Sequence, residues 1–308
     1  MHTLLVITGP TGVGKTELTL RLAEHFGCPI VSADSRQIYR EIPIGTATPT
    51  DEEQTRVKHY FVGTKSVTED YNAGQYERDC LDLLAQLQRN ATSEPFAILT
   101  GGSMLYIDAV CKGFDDIPTI TQQCREEVRE DYQKGGLTWL QQQVQVLDPD
   151  YWSEVDQSNP QRLMHCIEVS LSAGKPYSSF RKKTQATRDF NILKVAVERP
   201  REELYERINT RVEQMITAGL EGEAHKVYPL RQLNSLQTVG FREFFDYFDG
   251  RTTREEAIRL IKQNTRHYAK RQLTWFRADK TIHWLNANDA YETQLDNITH
   301  WLHTDCMQ

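Results

Sequence analysis

Short apolar runs, partly β-branched, recur along the first hundred residues at 4–7, 29–31, 59–63 and 96–99. Stretches with apolar residues at helical intervals, 17–26 and 76–89, lie between them. This alternation predicts a parallel sheet with helices on its faces. Two further strands are expected much later, at 192–197 and 281–285. From 115 to 187 the pattern is helical and rich in Gln, Glu and Arg, with breaks at Gly135-Gly136, Asp148-Pro149, Asn159-Pro160 and Gly174-Lys175-Pro176. The economical reading is an α/β core, residues 1–114 and 188–308, carrying an inserted helical domain at 115–187.

Composition narrows the class without changing that picture. A chain of 308 residues can bury a full core and still carry an insert. With 39% hydrophobic and 26% charged residues it reads as an ordinary globular protein, and no apolar run is long enough for a membrane span. A strand starting near residue 4 leaves no room for a signal peptide, so a cytoplasmic protein with no membrane partner is expected; a monomer is the further expectation, which no sequence feature derives. Cys28, Cys80, Cys111, Cys124, Cys166 and Cys306 are scattered without a C-x-x-C pair, which suggests neither zinc nor a disulfide framework. The formal net charge of -7 weighs only weakly against a nucleic-acid partner, because a binding face is a local property.

The candidate chemistry begins with "GPTGVGKT", that is Gly9, Pro10, Thr11, Gly12, Val13, Gly14, Lys15 and Thr16. Placed between a strand and a helix, the glycines let successive backbone N–H groups turn inward, and the helix N-terminus adds partial positive charge. Lys15 supplies a side-chain cation and Thr16 a hydroxyl for Mg2+. The spacing is that of the Walker A loop of ATP-binding proteins, and it predicts nucleotide or other phosphate binding without saying what the phosphate is attached to. A nucleoside triphosphatase normally adds a strand ending in Asp to hold magnesium against the γ-phosphate. Here the corresponding strand runs into Thr100-Gly101-Gly102-Ser103, with no acid. The second strand instead leads into Ser32-Ala33-Asp34-Ser35-Arg36-Gln37, putting Asp34 where ligands of open α/β sheets bind. Asp34 is therefore a candidate base, with a helix cap or turn aspartate as the alternative.

Residues 254–277 read as one long helix. At about 100° per residue, Ile258, Ile261, Tyr268, Trp275 and Phe276 share a broad face, and Arg259, Lys262, Arg266, Lys270 and Arg277 form a neighbouring stripe. No acid occurs from 264 to 278, which suits a polyanion partner, a solvated face being the alternative. Arg181, Lys182, Lys183 and Arg188 form a second basic cluster. Arg211, on a helix expected over 201–218, reads on pattern alone as one more solvated arginine. His59 and His267 are assigned no role, and Trp139, Trp152 and Trp275 default to core packing.

Together these residues resemble the tRNA dimethylallyltransferases, also called tRNA isopentenyltransferases. The resemblance covers nearly the whole chain and is carried by "GPTGVGKT", "SADSRQIYR" with "IGTATPT", "TGGSMLYIDAV", "NPQRLMHCIEV", "RPREELYERINTRVEQMITAGLEGE", "LQTVGFREF" and "NTRHYAKRQLTWFR". It implies an α/β fold, a P-loop kinase-like parallel sheet core with an inserted helical domain that clamps the tRNA anticodon stem-loop. The implied reaction moves a dimethylallyl group from dimethylallyl diphosphate to N6 of the adenosine just 3′ of the anticodon, in tRNAs reading codons that begin with U, with Mg2+ assisting. By position, residues 9–16 would hold the donor diphosphate, with Thr16 near magnesium. Lys15 and Arg211 would neutralise the leaving group, and Asp34 would be the general base. Ser35, Arg36 and Gln37 match neighbours of the target nucleotide, while Ser103 and Arg125 match positions at the tRNA interface. The remaining tRNA-contacting stretches would be Gln161, Arg162, Leu163, Met164 and His165; Gln237, Thr238, Val239, Gly240, Phe241 and Arg242; and Lys270, Arg271, Gln272, Leu273, Thr274, Trp275, Phe276 and Arg277. Ser103, Thr48, His165 and Phe241 stand where threonine, lysine, arginine and tyrosine are frequent in the family.

Three rival readings leave something unexplained. A small-molecule kinase accounts for the loop and Asp34 but gives the basic helix and the insert no purpose. A prenyltransferase acting on free adenine nucleotides needs no stem-loop clamp. An RNA-binding module with a relic loop sits poorly with intact Lys15, Thr16 and Asp34.

Overall fold

Strand β1 (Thr3–Thr8) is buried at all of its positions, so its alternating side chains feed both faces of a sheet. Leu5 and Ile7 enter one hydrophobic cluster and Leu4 and Val6 another. The computed structural model describes residues 2–115, 117–118, 120–181 and 186–305. Around β1 lie β2 (Ile30–Ser32), β3 (His59–Tyr60), β4 (Ala97–Thr100), β5 (Asn191–Glu198) and β6 (Ile282–Asn286), in the order β3-β2-β4-β1-β5-β6. All the pairings are parallel, with Leu5 opposite Ile98 of β4 and Leu193 of β5. This is the parallel α/β sheet the apolar runs predicted. β2, β4 and β6 are each shifted by one residue from expectation, and β3 is shorter. β3 ends at Tyr60 instead of reaching Gly63, because Phe61 and Gly63 adopt left-handed φ values of 59° and 60° that no strand can continue.

The chain divides into two compact units, residues 1–112 with 187–308 and residues 113–186. In the first, α1 (Lys15–Phe26), α2 (Pro43–Thr46), α3 (Asp51–Arg56), α4 (Ala73–Arg89) and α5 (Met104–Lys112) precede the departure of the chain. Asn72 and Gln75 cap each other's backbone and start α4 three residues earlier than the apolar spacing alone indicates. The second unit contains α6 (Gln122–Leu147), α7 (Pro149–Glu154) and α8 (Pro160–Ala173), around a core that includes Val128, Leu140, Val144, Leu163 and Ile167. Within α6 the helical geometry is interrupted at Gly136 (φ 62°, ψ -160°). Asp148, fully buried, accepts from Tyr151 N, Ser178 N and Ser178 Oγ, tying α7 to the turn after α8.

After the return come α9 (Arg201–Thr217), α10 (Leu220–Val227), α11 (Phe241–Phe248), α12 (Arg254–Ala278) and α13 (Tyr291–Asp305). The end of α12 is pinned beneath the sheet by a charge network: Asp279 meets Lys194 at 3.0 Å and Lys112 at 3.3 Å, and Lys112 meets Asp108 at 2.9 Å. Burial opposes the charge of Asp279, but hydrogen bonds from Thr281 and Lys194 outweigh it and hold the carboxyl well below the usual range. Among the described residues, no helix is long and apolar enough to cross a membrane.

Candidate functional site

In a parallel sheet the strand ends that follow the chain direction all open on one edge. The loops after β1, β2 and β4, with Arg199 after β5, therefore converge there. The first is the glycine-rich loop, which leads into α1. Gly9 has φ 139°, and a Cβ on it would lie 2.6 Å from the Val197 carbonyl oxygen, so only glycine fits. Lys15 Nζ donates to the Gly9 and Pro10 carbonyls, at 2.8 Å each. Burial, then Arg211, lowers its pKa from 10.5 to about 7, with Asp34 opposing. Thr16 is exposed, lines the cavity beside the loop, and hydrogen-bonds no other described side chain.

Three side chains brace the outer side of this loop at successive residues. Gln272 Oε1 accepts from Thr11 N at 2.9 Å, Arg207 Nε donates to Gly12 O at 3.0 Å, and Arg199 Nε donates to Val13 O at 3.4 Å. Sequence reading assigned none of them this role. Their only signal was the position of Arg199 at a strand end; α9 and α12 are brought to the loop by packing alone.

Asp34 follows β2. Its Oδ1 accepts from Arg36 N at 2.9 Å and Gln37 N at 3.3 Å, the turn role weighed as an alternative, while Oδ2 bonds no described residue. The aspartate thus makes its turn with one oxygen and leaves the other free for chemistry. Ser103 Oγ accepts from Ser35 N at 2.8 Å and donates to Ser35 Oγ at 3.1 Å. Gly101 lets these two loops touch, since a Cβ on it would lie 2.2 Å from Ala33 O. The Gln37 amide is fully committed, donating to Thr46 O and Ala47 O and accepting from Ser32 Oγ. Buried Glu223 accepts from Ile44 N and Gly45 N at 2.8 and 2.7 Å and fixes α2 as the neighbouring wall.

Two cavities meet at Asp34. One, of about 610 Å³, is lined by Gly12, Gly14, Lys15 and Thr16; the other, of about 310 Å³, by Gln237, Thr238, Val239, Gly240 and Arg242. Thr11, Asp34, Thr46, Arg211 and Tyr268 line both. Arg211 is therefore no ordinary surface arginine. It has no carboxylate within ion-pair distance among the described residues, and burial weighs against its charge while Asp34 supports it and Arg207 opposes it, leaving its pKa below the ordinary value. Tyr268 donates to Gly102 O at 3.2 Å; burial and Asp34 both push its ionisation up, so it stays a neutral donor. His59 also borders the larger cavity, where burial lowers its pKa, and its Nδ1 bonds Val57 O at 2.8 Å.

The other candidate residues divide by exposure. Lys270, Arg271, Thr274, Trp275 and Arg277 are exposed on α12, and Lys270, Leu273, Thr274 and Arg277 border a third cavity of about 550 Å³ together with Arg199 and Arg201. Gln237 and Arg242 are exposed. In the second unit Gln161 and Arg162 are exposed, Arg125, Met164 and His165 half-buried, and burial and Arg125 lower the His165 pKa. Leu163, Phe241, Gln272 and Phe276 are buried, so they support their stretches from within and present no contact surface. Trp275 departs from the core-packing default: it is 41% exposed, with Nε1 donating to Asp108 at 3.0 Å. The basic stripe is also less bare than its helix suggests. Arg259 pairs with Glu256, Lys262 with Glu213 and Arg277 with Glu198, while Arg266 bonds Asn209. In the second basic cluster, Arg188 is spent on Glu77 and the Val110 carbonyl, and Lys182 and Lys183 lie outside the described residues.

Residues 37–279 match the family model described as IPP transferase. A protein of Porphyromonas gingivalis named tRNA dimethylallyltransferase 2 is 51% identical over 298 residues, covering 97% of this chain and 98% of its own. The tRNA dimethylallyltransferase 1 of Phocaeicola vulgatus is 52% identical over 290 residues, with coverage of 94% and 96%. Among solved structures, the full-length tRNA isopentenylpyrophosphate transferase of Bacillus halodurans superposes with a TM-score of 0.71 at 30% identity, covering 98% of this chain and 96% of that one.

Proposed function

The chain belongs to the IPP transferase family, and from that premise we propose that it transfers a dimethylallyl group from dimethylallyl diphosphate to N6 of the adenosine 3′-adjacent to the anticodon in tRNA. The tRNAs are those reading codons that begin with U, and diphosphate is the other product. The observation that carries this reading is the position of Asp34 between two cavities, one bounded by the phosphate loop and the other by residues 237–240 and 242 together with Arg36, Arg211 and Arg271, cations suited to an RNA backbone. A group-transfer enzyme with two large substrates needs that division.

The exocyclic amine of adenine is a weak nucleophile, because its lone pair is drawn into the ring. A base must take a proton from N6 as the new C–N bond forms, and Asp34 Oδ2 is the uncommitted acceptor at the junction. As that bond forms, the allylic C–O bond breaks and its electrons leave with the diphosphate. The loop N–H groups, Lys15 and Arg211 meet the charge that grows there. The target base, in an unpaired loop, leaves its stack and enters from the side of residues 237–242, and the helical unit 113–186 holds the stem.

Magnesium fits this donor set. The free Thr16 hydroxyl is a hard oxygen ligand, and among the described residues no cluster of His, Cys, Asp or Glu is arranged to hold a metal, so the ion would arrive with the diphosphate oxygens. Thr16 would help to hold the ion, which would supply charge neutralisation of the leaving group.

The test is incubation with magnesium and unmodified tRNA, offering dimethylallyl diphosphate or ATP, followed by digestion and mass spectrometry. A dimethylallyl mass gain on one adenosine is expected; turnover of ATP without it contradicts the reading.

A further inference from the structure

The last turns of α12 show two characters. Lys270, Arg271 and Thr274 are exposed, yet Gln272 among them is fully buried. A buried primary amide is costly unless its donors and acceptor are used. Gln272 uses both ends: Oε1 accepts from Thr11 N at 2.9 Å and Nε2 donates to Gly102 O at 2.7 Å. The approach is so close that a Cβ on Gly102 would sit 2.4 Å from Nε2. One side chain thereby joins the phosphate loop after β1 to the loop after β4. The second of these carries Ser103, whose hydroxyl holds the Ser35 amide next to Asp34. A longer link, Thr8 Oγ1 to Gly101 O at 3.3 Å, runs alongside.

We propose that Gln272 is a positioning residue for the transfer: its amide sets the spacing between the loop that grips the diphosphate and the loop that places the Asp34 base. The proposal rests on the transfer reading above. Gln272 touches neither reacting atom. It acts through Thr11 on one side and through Gly102 and Ser103 on the other, so its loss leaves both half-sites standing but out of register. Misalignment on the order of 1 Å is enough to cost about a hundredfold in rate.

Two substitutions separate this role from simple packing. Gln272→Met keeps the volume and removes both hydrogen bonds. Gln272→Glu keeps the acceptor toward Thr11 but sets a carboxylate against the Gly102 carbonyl, unless a proton makes it a donor again. The titratable groups that line the larger cavity with it are Lys15, Glu17, Asp34, Glu53, His59, Glu206, Arg207, Arg211 and Tyr268. Each variant is therefore compared with the wild type at the same pH, and Gln272→Met, which adds no charge, shows how far those groups titrate without a new carboxylate beside them.

Calorimetry with inorganic diphosphate and magnesium, without RNA, is run from about pH 5.5 to 8.5. Gln272→Met is expected to bind about tenfold more weakly throughout. Gln272→Glu is expected to be equally weak at the alkaline end and to recover toward wild type at the acid end, a reversal that a misfolded variant does not show. In turnover assays Gln272→Met should lose about a hundredfold in kcat, with the KM for tRNA within about threefold of wild type. Diphosphate binding by Gln272→Glu that stays at a constant ratio to wild type across the range overturns the role of Gln272. Absence of transfer by the wild type overturns the transfer reading and, with it, the role in transfer.

Discussion

Lys15 makes the most exacting prediction. Its ammonium is folded onto two loop carbonyls in a site that burial and Arg211 make hostile to charge, and its pKa falls to about 7. A bound diphosphate reverses that environment and should return the lysine toward its ordinary value of about 10.4, a change on the order of 5 kcal/mol in favour of the charged form. The sign follows directly. Below pH 7 the lysine is already protonated in the free protein and binding takes up little; above pH 7 it is neutral when free and charged when bound, so binding consumes a proton. Uptake by this group should be about 0.1 proton at pH 6, 0.5 at pH 7 and 0.9 at pH 8. Affinity should fall by up to about tenfold per pH unit above 7. Titration calorimetry in buffers of different ionisation heat counts these protons, and Lys15→Met, which cannot titrate, serves as the control. The same proton count and the same alkaline slope in Lys15→Met as in wild type would refute the reasoning.

Asp34→Asn keeps the Oδ1 acceptor of the turn and loses the proton acceptor. Single-turnover rates should drop by about 10²–10⁴ while the Kd for an anticodon stem-loop stays within about threefold, and equal losses in both would undo the assignment. Lys270→Ala with Arg271→Ala removes two exposed cations, so the slope of log affinity against log salt should flatten by about 1.5; an unchanged slope removes that face from the RNA interface. Asp279→Asn should destabilise the fold at neutral pH. Because the native carboxyl is held below its unfolded value, the deficit should be full above about pH 4 and shrink as pH falls further, which thermal melts across that range would reveal.

Much of the molecule was legible before folding. The runs at 4–7 and 192–197 became β1 and β5 because a strand buried on both faces has to be apolar at nearly every position. The phosphate loop was legible because its geometry is local, and Asp34 because a strand end in a parallel sheet has a predictable place. What stayed hidden depends on contacts made across the chain. Arg211 looks solvated on its own helix, and only the packing of α9 beside the loop turns it into the cavity. Gln272 belongs by sequence to a basic, RNA-like stretch, yet its register on α12 points it inward. Two of the acids that neutralise the stripe, Glu213 and Glu198, come from other elements and leave no trace in the composition of α12, whereas Glu256, the partner of Arg259, lies on α12 itself. The short β3 depended on left-handed φ values at Phe61 and Gly63, of which only the glycine could have been suspected.

The central claim is that the glycine-rich loop holds a diphosphate that leaves while its five-carbon group stays on RNA. The most direct measurement counts inorganic diphosphate and dimethylallyl-adenosine in the same reaction, with tRNA, magnesium and dimethylallyl diphosphate present. The account predicts one diphosphate released for each adenosine modified, with both products lost together in Asp34→Asn. Diphosphate released without modified adenosine, or modified adenosine formed at an undiminished rate by Asp34→Asn, would contradict it.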